Sequence, residues 1–171
     1  VGIGIIAFLQ TRIHLAEYEN IFLIGSFGAS SVLIYGVIQS PFSQPRNLVG
    51  GHVIGALVGV TVAKLLPDII WLTAPLAVSV AIMLMRVTKT IHPPGGATAL
   101  IAVTGSVKIK ALGYGFVVFP VLSGALIMLV VALIFNNITE DRKYPTDERF
   151  TTTITRMFKR GKLAVRSKTR A

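Results

Sequence analysis

The sequence predicts an all-α, polytopic membrane protein made of two inverted three-segment repeats with short, broken middle helices. Three observations carry that reading. Hydrophobic residues make up 53% of the chain and charged ones only 14%, with a positive mean hydropathy, whereas a soluble domain carries roughly 25% charged residues. Between Asn20 and Asn137 the one carboxylate is Asp68, the distribution expected where charge is costly to bury in lipid. Finally, Gly28-Ala29-Ser30-Ser31-Val32-Leu33 lines up with Gly96-Ala97-Thr98-Ala99-Leu100-Ile101, and further on Gly51 with Gly115.

The segments follow in order. Val1 to Leu9 is an apolar run about half the length that crosses a bilayer, read as the end of a truncated helix; it lacks the basic start and cleavage site of a signal peptide. Gln10 to Asn20 is polar. The second apolar segment starts at Ile21, and its helical part runs from Gly25 to about Gln39. Ser40 to Asn47 is a loop by its prolines and polar residues. The third segment, Leu48 to Leu66, carries Gly51, Gly55 and Gly59, the small-xxx-small face on which membrane helices approach closely; that face suits a homo-oligomer or internal packing equally. Pro67-Asp68 is a tight connection. The fourth segment runs from Ile69 to Met85 with Trp71 at the interface, the fifth to Val103, and Thr104 to Lys110 is a polar turn. The sixth, Ala111 to Phe135, contains Pro120 and is expected to kink.

As helices, Gly28–Gln39 and Gly95–Val103 would rise about half to two thirds of a ~30 Å core. Non-helical backbone must cover the rest, and it survives at that depth only when buried in protein or lining a wet cavity. With the basic tail inside and six crossings, Arg46, Arg86 and Lys89 lie inside and Arg12, Lys64, Lys108 and Lys110 outside. If the short segments dip and return, Arg46, Arg86, Lys89, Lys108 and Lys110 all move outside, so the positive-inside rule favours six crossings. Three crossings per unit makes the repeat inverted, and two helix N-termini would then converge from opposite faces on one pocket.

The stretch at the centre of this reading is His92-Pro93-Pro94-Gly95-Gly96-Ala97-Thr98-Ala99-Leu100. Its glycines allow close approach to the main chain, and a helix N-terminus is a ready anion site. Gly95, Gly96 and Thr98, with Ser26, Gly28 and Ser30 on the repeat, are therefore the candidate donors to a small anion; the competing reading is that small residues only let helices pack. His92 is expected either to donate to the anion and carry protons or to hold the broken backbone through a carbonyl. His52 reads as structural. Arg86, ahead of Lys89 and Arg46, is a candidate oxyanion contact or a snorkelling interface charge.

The chain has no Cys, and His14, His52 and His92 are far apart with no neighbouring acid, so no metal or other cofactor is expected. No nucleophile, base and orienting acid occur as a set, and no phosphate-binding loop sequence is present; neither an enzyme nor a nucleotide-driven pump is expected. Residues 1–137 read as the membrane domain and 138–171 as a basic cytoplasmic tail, whose partner is expected to be anionic lipid rather than nucleic acid. The competing functional reading is a membrane-embedded scaffold or sensor that binds a partner through this tail.

His92-Pro93-Pro94, Phe27-Gly28-Ala29-Ser30 with Ser40-Pro41 and Gln44-Pro45-Arg46-Asn47 through Gly50-Gly51-His52, and Asn136-Asn137 with Arg142-Lys143-Tyr144-Pro145 together resemble the HPP family of integral membrane proteins. The likeness covers nearly everything from Leu23 to Pro145. It implies a multi-pass protein, usually described with four membrane helices where the residues here divide into six segments. For cyanobacterial and chloroplast-envelope members it implies nitrite transport. The expectation is therefore a transporter or facilitator of a small monovalent anion, nitrite first, in a bacterial inner membrane or, second, a chloroplast envelope.

Overall fold

A computed structural model of the chain describes residues 2–12 and 24–147. The basic stretch from Phe150 onward and the polar stretch before Asn20 lie outside the described residues, apart from the end of the first helix. Every regular element among the described residues is helical. The first, α1 (Gly2–Arg12), is followed by α2 (Gly25–Ser31), which continues as a π-helical turn over Val32–Gly36. After a 3-10 turn at Pro41–Ser43 come α3 (Pro45–Leu65), α4 (Ile70–Val87), α5 (Pro93–Thr104), α6 (Val107–Ala111) and α7 (Ser123–Phe135), the last preceded by a π-helical turn at Val117–Leu122.

Among the described residues three helices are long and apolar enough to cross a membrane: Pro45–Leu65, Ile70–Val87 and Val117–Phe135. The two interrupted ones, Gly25–Gly36 and Pro93–Thr104, each have twelve residues and rise about 18 Å. The expected breaks are thus present. The expected single helix from Ala111 is not. Gly113, at a φ of 51°, and the turn to Phe116 separate α6 from α7, and Phe119 leaves helical geometry (φ −136°, ψ 116°) because the residue before a proline is pushed toward extended backbone.

Contacts fix the directions of the helices. Gly51, Gly55 and Gly59 of α3 meet, in that order, Thr90 and His92, Gly95, then Ala99 and Ala102, so α3 and α5 run parallel. Ser26 and Ser30 meet Thr98 and His92, so α2 runs antiparallel to α5. Gly124 lies under Phe27 and Asn136 beside Ile34, so α7 runs parallel to α2. Short connections at residues 66–69 and 88–92 set α4 against both neighbours. A Cβ on any of these three glycines would strike α5 or the residues that lead into it; this face is consumed inside the chain.

Two devices hold the interrupted ends. α4 stops at Thr88 with Lys89 at a φ of 57°, the Lys89 and Thr90 amides returning to Arg86 and Met85 carbonyls at 3.2 and 2.8 Å. This Schellman closure turns the chain toward His92, and Arg46 Nη2 and Asn47 Nδ2 secure the turn by donating to the Thr88 and Ile91 carbonyls at 2.6 and 2.7 Å. Past α2, side chains cap the carbonyls of the π turn: Asn136 Nδ2 donates to Ile34 O at 2.7 Å and Arg142 Nη2 to Tyr35 O at 2.7 Å, while Ser43 Oγ joins the Val37 amide on Leu33 O, each at 3.0 Å.

The segment after α7 is stitched to the same end. Tyr144, 3% exposed, donates through its hydroxyl to Ser43 O at 2.7 Å, and Gln44 Oε1 accepts from the Thr146 and Asp147 amides. Burial, and then the nearby Tyr35, push the Tyr144 phenol above its ordinary range, so it remains a donor. The packed unit therefore reaches at least residue 147, beyond the boundary expected after Asn137.

Candidate functional site

Where α2, α3 and α5 meet, the fold buries a chain of hydroxyls and imidazoles. Close approach of α3 to α5 at Gly51 seats His92 against the α3 backbone, and His52 projects from the next residue, about 10 Å along α3 from Pro45. Both imidazoles, with Ser30 and Thr98, are 0% exposed, and Ser26 is 1% exposed. Phe27 meets the His52 ring edge-on with centroids 5.1 Å apart; the two imidazoles stand at 62° with centroids 4.9 Å apart.

The contacts run in one line. Thr98 Oγ1 is 2.7 Å from His52 Nδ1; His52 Nε2 is 2.7 Å from Ser30 Oγ; Ser30 Oγ is 2.8 Å from His92 Nε2; His92 Nδ1 is 2.8 Å from Phe42 O. Ser26 Oγ extends the line from Thr98 at 2.9 Å, and Pro94 O is a longer acceptor at 3.2 Å. Proton positions follow from chemistry. A carbonyl only accepts, so His92 Nδ1 carries hydrogen and, in the neutral ring, Nε2 is bare. Ser30 must then donate to His92 and accept from His52 Nε2, which leaves His52 Nδ1 bare to accept from Thr98. This arrangement keeps both rings neutral; it spends the single Thr98 hydrogen on His52, so Thr98 cannot at the same time donate to Ser26 or to Pro94 O.

One added proton reverses the line. If His92 holds hydrogen on both nitrogens, Ser30 accepts from it and donates to His52 Nε2, His52 Nδ1 donates to Thr98, and Thr98 donates to Ser26. With that proton in place every contact from His92 to Ser26 has its donor, the donation from Thr98 to Ser26 included. Beside it, between α4 and α5, opens a groove of about 520 Å³ whose wall includes His92, Pro93, Gly96 and Ala97 among apolar side chains.

Residues 1–145 match the family described as HPP, transmembrane region. The chain belongs to the HPP transmembrane family. Two Dictyostelium discoideum proteins, each named only as a transmembrane protein, are similar to it. One is 49% identical over 148 residues, which are 85% of this chain and 47% of the relative; the other is 48% identical over 147 residues, 84% and 51% respectively. The chain spans about half the length of these curated relatives, and neither comes from a bacterium. No solved structure matches it.

In this HPP chain the cluster unites five residues from three helices. Ser30 and Thr98, which the expected repeat would align, hold one imidazole, His52, from its two sides. Of the residues singled out beforehand, Ser26, Ser30, His92 and Thr98 are brought together. Gly96 lines the groove, where an added Cβ would have room. Gly95 packs against the Gly51 carbonyl and Met85, and its amide donates to His92 O at 2.8 Å. Pro93 and Pro94 have no amide hydrogen and the Gly95 amide is taken by His92 O, so the first three residues of α5 offer no free backbone donor; side chains supply the polarity there. Gly28 is exposed and meets nothing, and Arg86 is exposed at the end of α4, both outside the cluster. Arg46 and Lys89 serve the turn described above. The two interrupted helices lie side by side and antiparallel, each start against a later turn of the other, rather than tip to tip.

His52 occupies the middle of the line, although its sequence setting reads as structural. Its neighbour Gly51 was the available signal: the residue beside the closest helix contact is the one carried deepest between two helices.

Proposed function

We propose that this HPP chain passes a small monovalent anion, nitrite first, across the membrane at the crossing of its two interrupted helices. The single observation that carries the reading is the buried Ser26-Thr98-His52-Ser30-His92 line, polar yet free of carboxylates. Nothing in it repels a negative charge, and each hydroxyl and protonated ring nitrogen is a donor. An anion entering a low-dielectric interior needs a compensating charge, and the two imidazoles are the groups in the line able to provide one. Two imidazolium rings at this spacing would repel, so one proton accompanies one negative charge. Monovalent anions are favoured for that reason, and the transport is proton-linked.

An inverted pair of three-segment units accounts for the directions of the helices. α5 packs parallel on α3 through glycines as α2 packs parallel on α7 through Gly124, and α2 and α5 run opposite to each other. Such a relation lets the two units rock about the shared cluster. The alternative, a scaffold that binds a partner through its basic tail, concerns the stretch from Phe150 onward, which lies outside the described residues.

The test is nitrite uptake by the purified chain in proteoliposomes. Thr98→Val removes one donor from the line with little change of shape, and uptake should fall about tenfold, the scale of one buried hydrogen bond to a charge. Gly96→Leu, which fills the groove, should lower uptake to a similar extent. Uptake at the wild-type rate in both variants would remove the cluster and the groove from the path.

A further inference from the structure

A second polar site lies at the opposite end of α2 from Ser26 and takes no part in the line of imidazoles. There, Arg142 is held in one orientation: Nη2 donates to Tyr35 O at 2.7 Å and to Asn136 Oδ1 at 2.9 Å. Asn136, 3% exposed, is itself fixed by donating to Ile34 O, so it has no freedom to follow another partner. The Nε edge of the guanidinium is left over. Arg142 Nε and the Tyr35 hydroxyl are both buried without a hydrogen-bond partner, and both residues line one cavity of about 360 Å³ together with Phe135 and Asn136. Lys110 pairs with Asp68 at 2.8 Å, and among the described residues no carboxylate pairs with Arg142.

A guanidinium with no counter-ion among the described residues, and two unsatisfied polar groups on residues that line one cavity, are costly unless something satisfies them. The complement is an oxygen-bearing anion. Its oxygens accept from the planar Nε edge, the geometry in which arginine grips phosphate and carboxylate groups, and from the phenol. We infer that Arg142 and Tyr35 form an oxyanion site for a phosphate group, carried either by a phospholipid headgroup or by free inorganic phosphate. The inference is independent of transport, and it gives the Arg142-Lys143-Tyr144-Pro145 motif a binding role beside its capping one.

The experiment uses the full chain, delipidated in a neutral detergent, with two probes. One is inorganic phosphate, titrated against chloride at equal ionic strength and read as a shift in thermal unfolding. The other is short-chain phosphatidic acid, read by native mass spectrometry against diacylglycerol of the same chain length. Wild type should bind one equivalent of at least one probe saturably: binding of phosphatidic acid alone assigns the site to lipid, and binding of both assigns it to any accessible phosphate. Tyr35→Phe deletes a hydroxyl that has no internal partner, so it should fold as wild type does while weakening the probe about tenfold. Arg142→Lys, which keeps the charge and loses the fork, should weaken it further. Saturable binding of neither probe by wild type, or undiminished affinity in Tyr35→Phe, would overturn the assignment.

Discussion

Ser30 has one hydroxyl hydrogen and two imidazoles to serve. His92 Nε2 must receive it, because the Phe42 carbonyl claims the proton on His92 Nδ1, and His52 must donate in turn. Ser30→Ala leaves a bare nitrogen and an N–H facing each other across a gap in a buried site. The loss should be about 2 kcal/mol, measured by denaturation in detergent; a loss below a few tenths would mean that the two rings do not depend on that hydroxyl. That Ser26, Ser30, Thr98 and His92 come together was legible in the sequence, because a short internal likeness and a proline-glycine motif mark them. His52 was not, since a lone histidine on an apolar helix usually has a local partner, and the partners here come from helices 22 and 46 residues away. The caps Asn136 and Arg142 were hidden too: they serve carbonyls freed by a π turn, and nothing in Val32-Leu33-Ile34-Tyr35-Gly36 marks it as other than α-helical.

Helix existence and order were readable from hydropathy and proline placement, and the interrupted starts fall at Gly25 and Pro93, where the glycine-serine and proline-glycine stretches put them. What failed was the sixth segment. Pro120 signalled a kink, while the break at Gly113 depends on a positive φ that composition does not show. The packing of α3 on α5 gives a sharp contrast between glycines. Gly55→Ala would drive a methyl into the Gly95 carbonyl, whereas an added Cβ at Gly28 meets nothing. Gly55→Ala should cost about 3 kcal/mol by overpacking two backbones, and Gly28→Ala should be neutral or stabilising by up to about 1 kcal/mol. Equal unfolding midpoints in detergent for the two variants would refute this close approach. The closure of α4 offers a change of opposite sign. Lys89 holds a left-handed conformation that disfavours a side chain, so Lys89→Gly should stabilise the chain by about 1 kcal/mol, seen as a raised midpoint; a lowered one would mean that the lysine side chain contributes more than its backbone costs.

At the scale of the molecule, the directions of α2, α3, α4, α5 and α7 alternate, as they must if each carries the chain toward the opposite face. Arg46, Arg86, Lys89, Arg142 and Lys143 then cluster at the end where α5 begins, and Lys64, Lys108 and Lys110 at the other, in accord with the positive-inside rule. The chain contains no Cys, so single cysteines report topology without background. Lys89→Cys and Lys108→Cys should react with a membrane-impermeant maleimide from opposite sides of a sealed vesicle; labelling from the same side would return the short helices to the dip-and-return arrangement. The central claim concerns what the buried line of donors admits. Its most direct test is flux of nitrite into liposomes containing the wild-type chain, followed at several external pH values against empty liposomes. The account predicts protein-dependent uptake that quickens as external pH falls and brings protons in with the anion; no uptake above the empty control at any pH would contradict it.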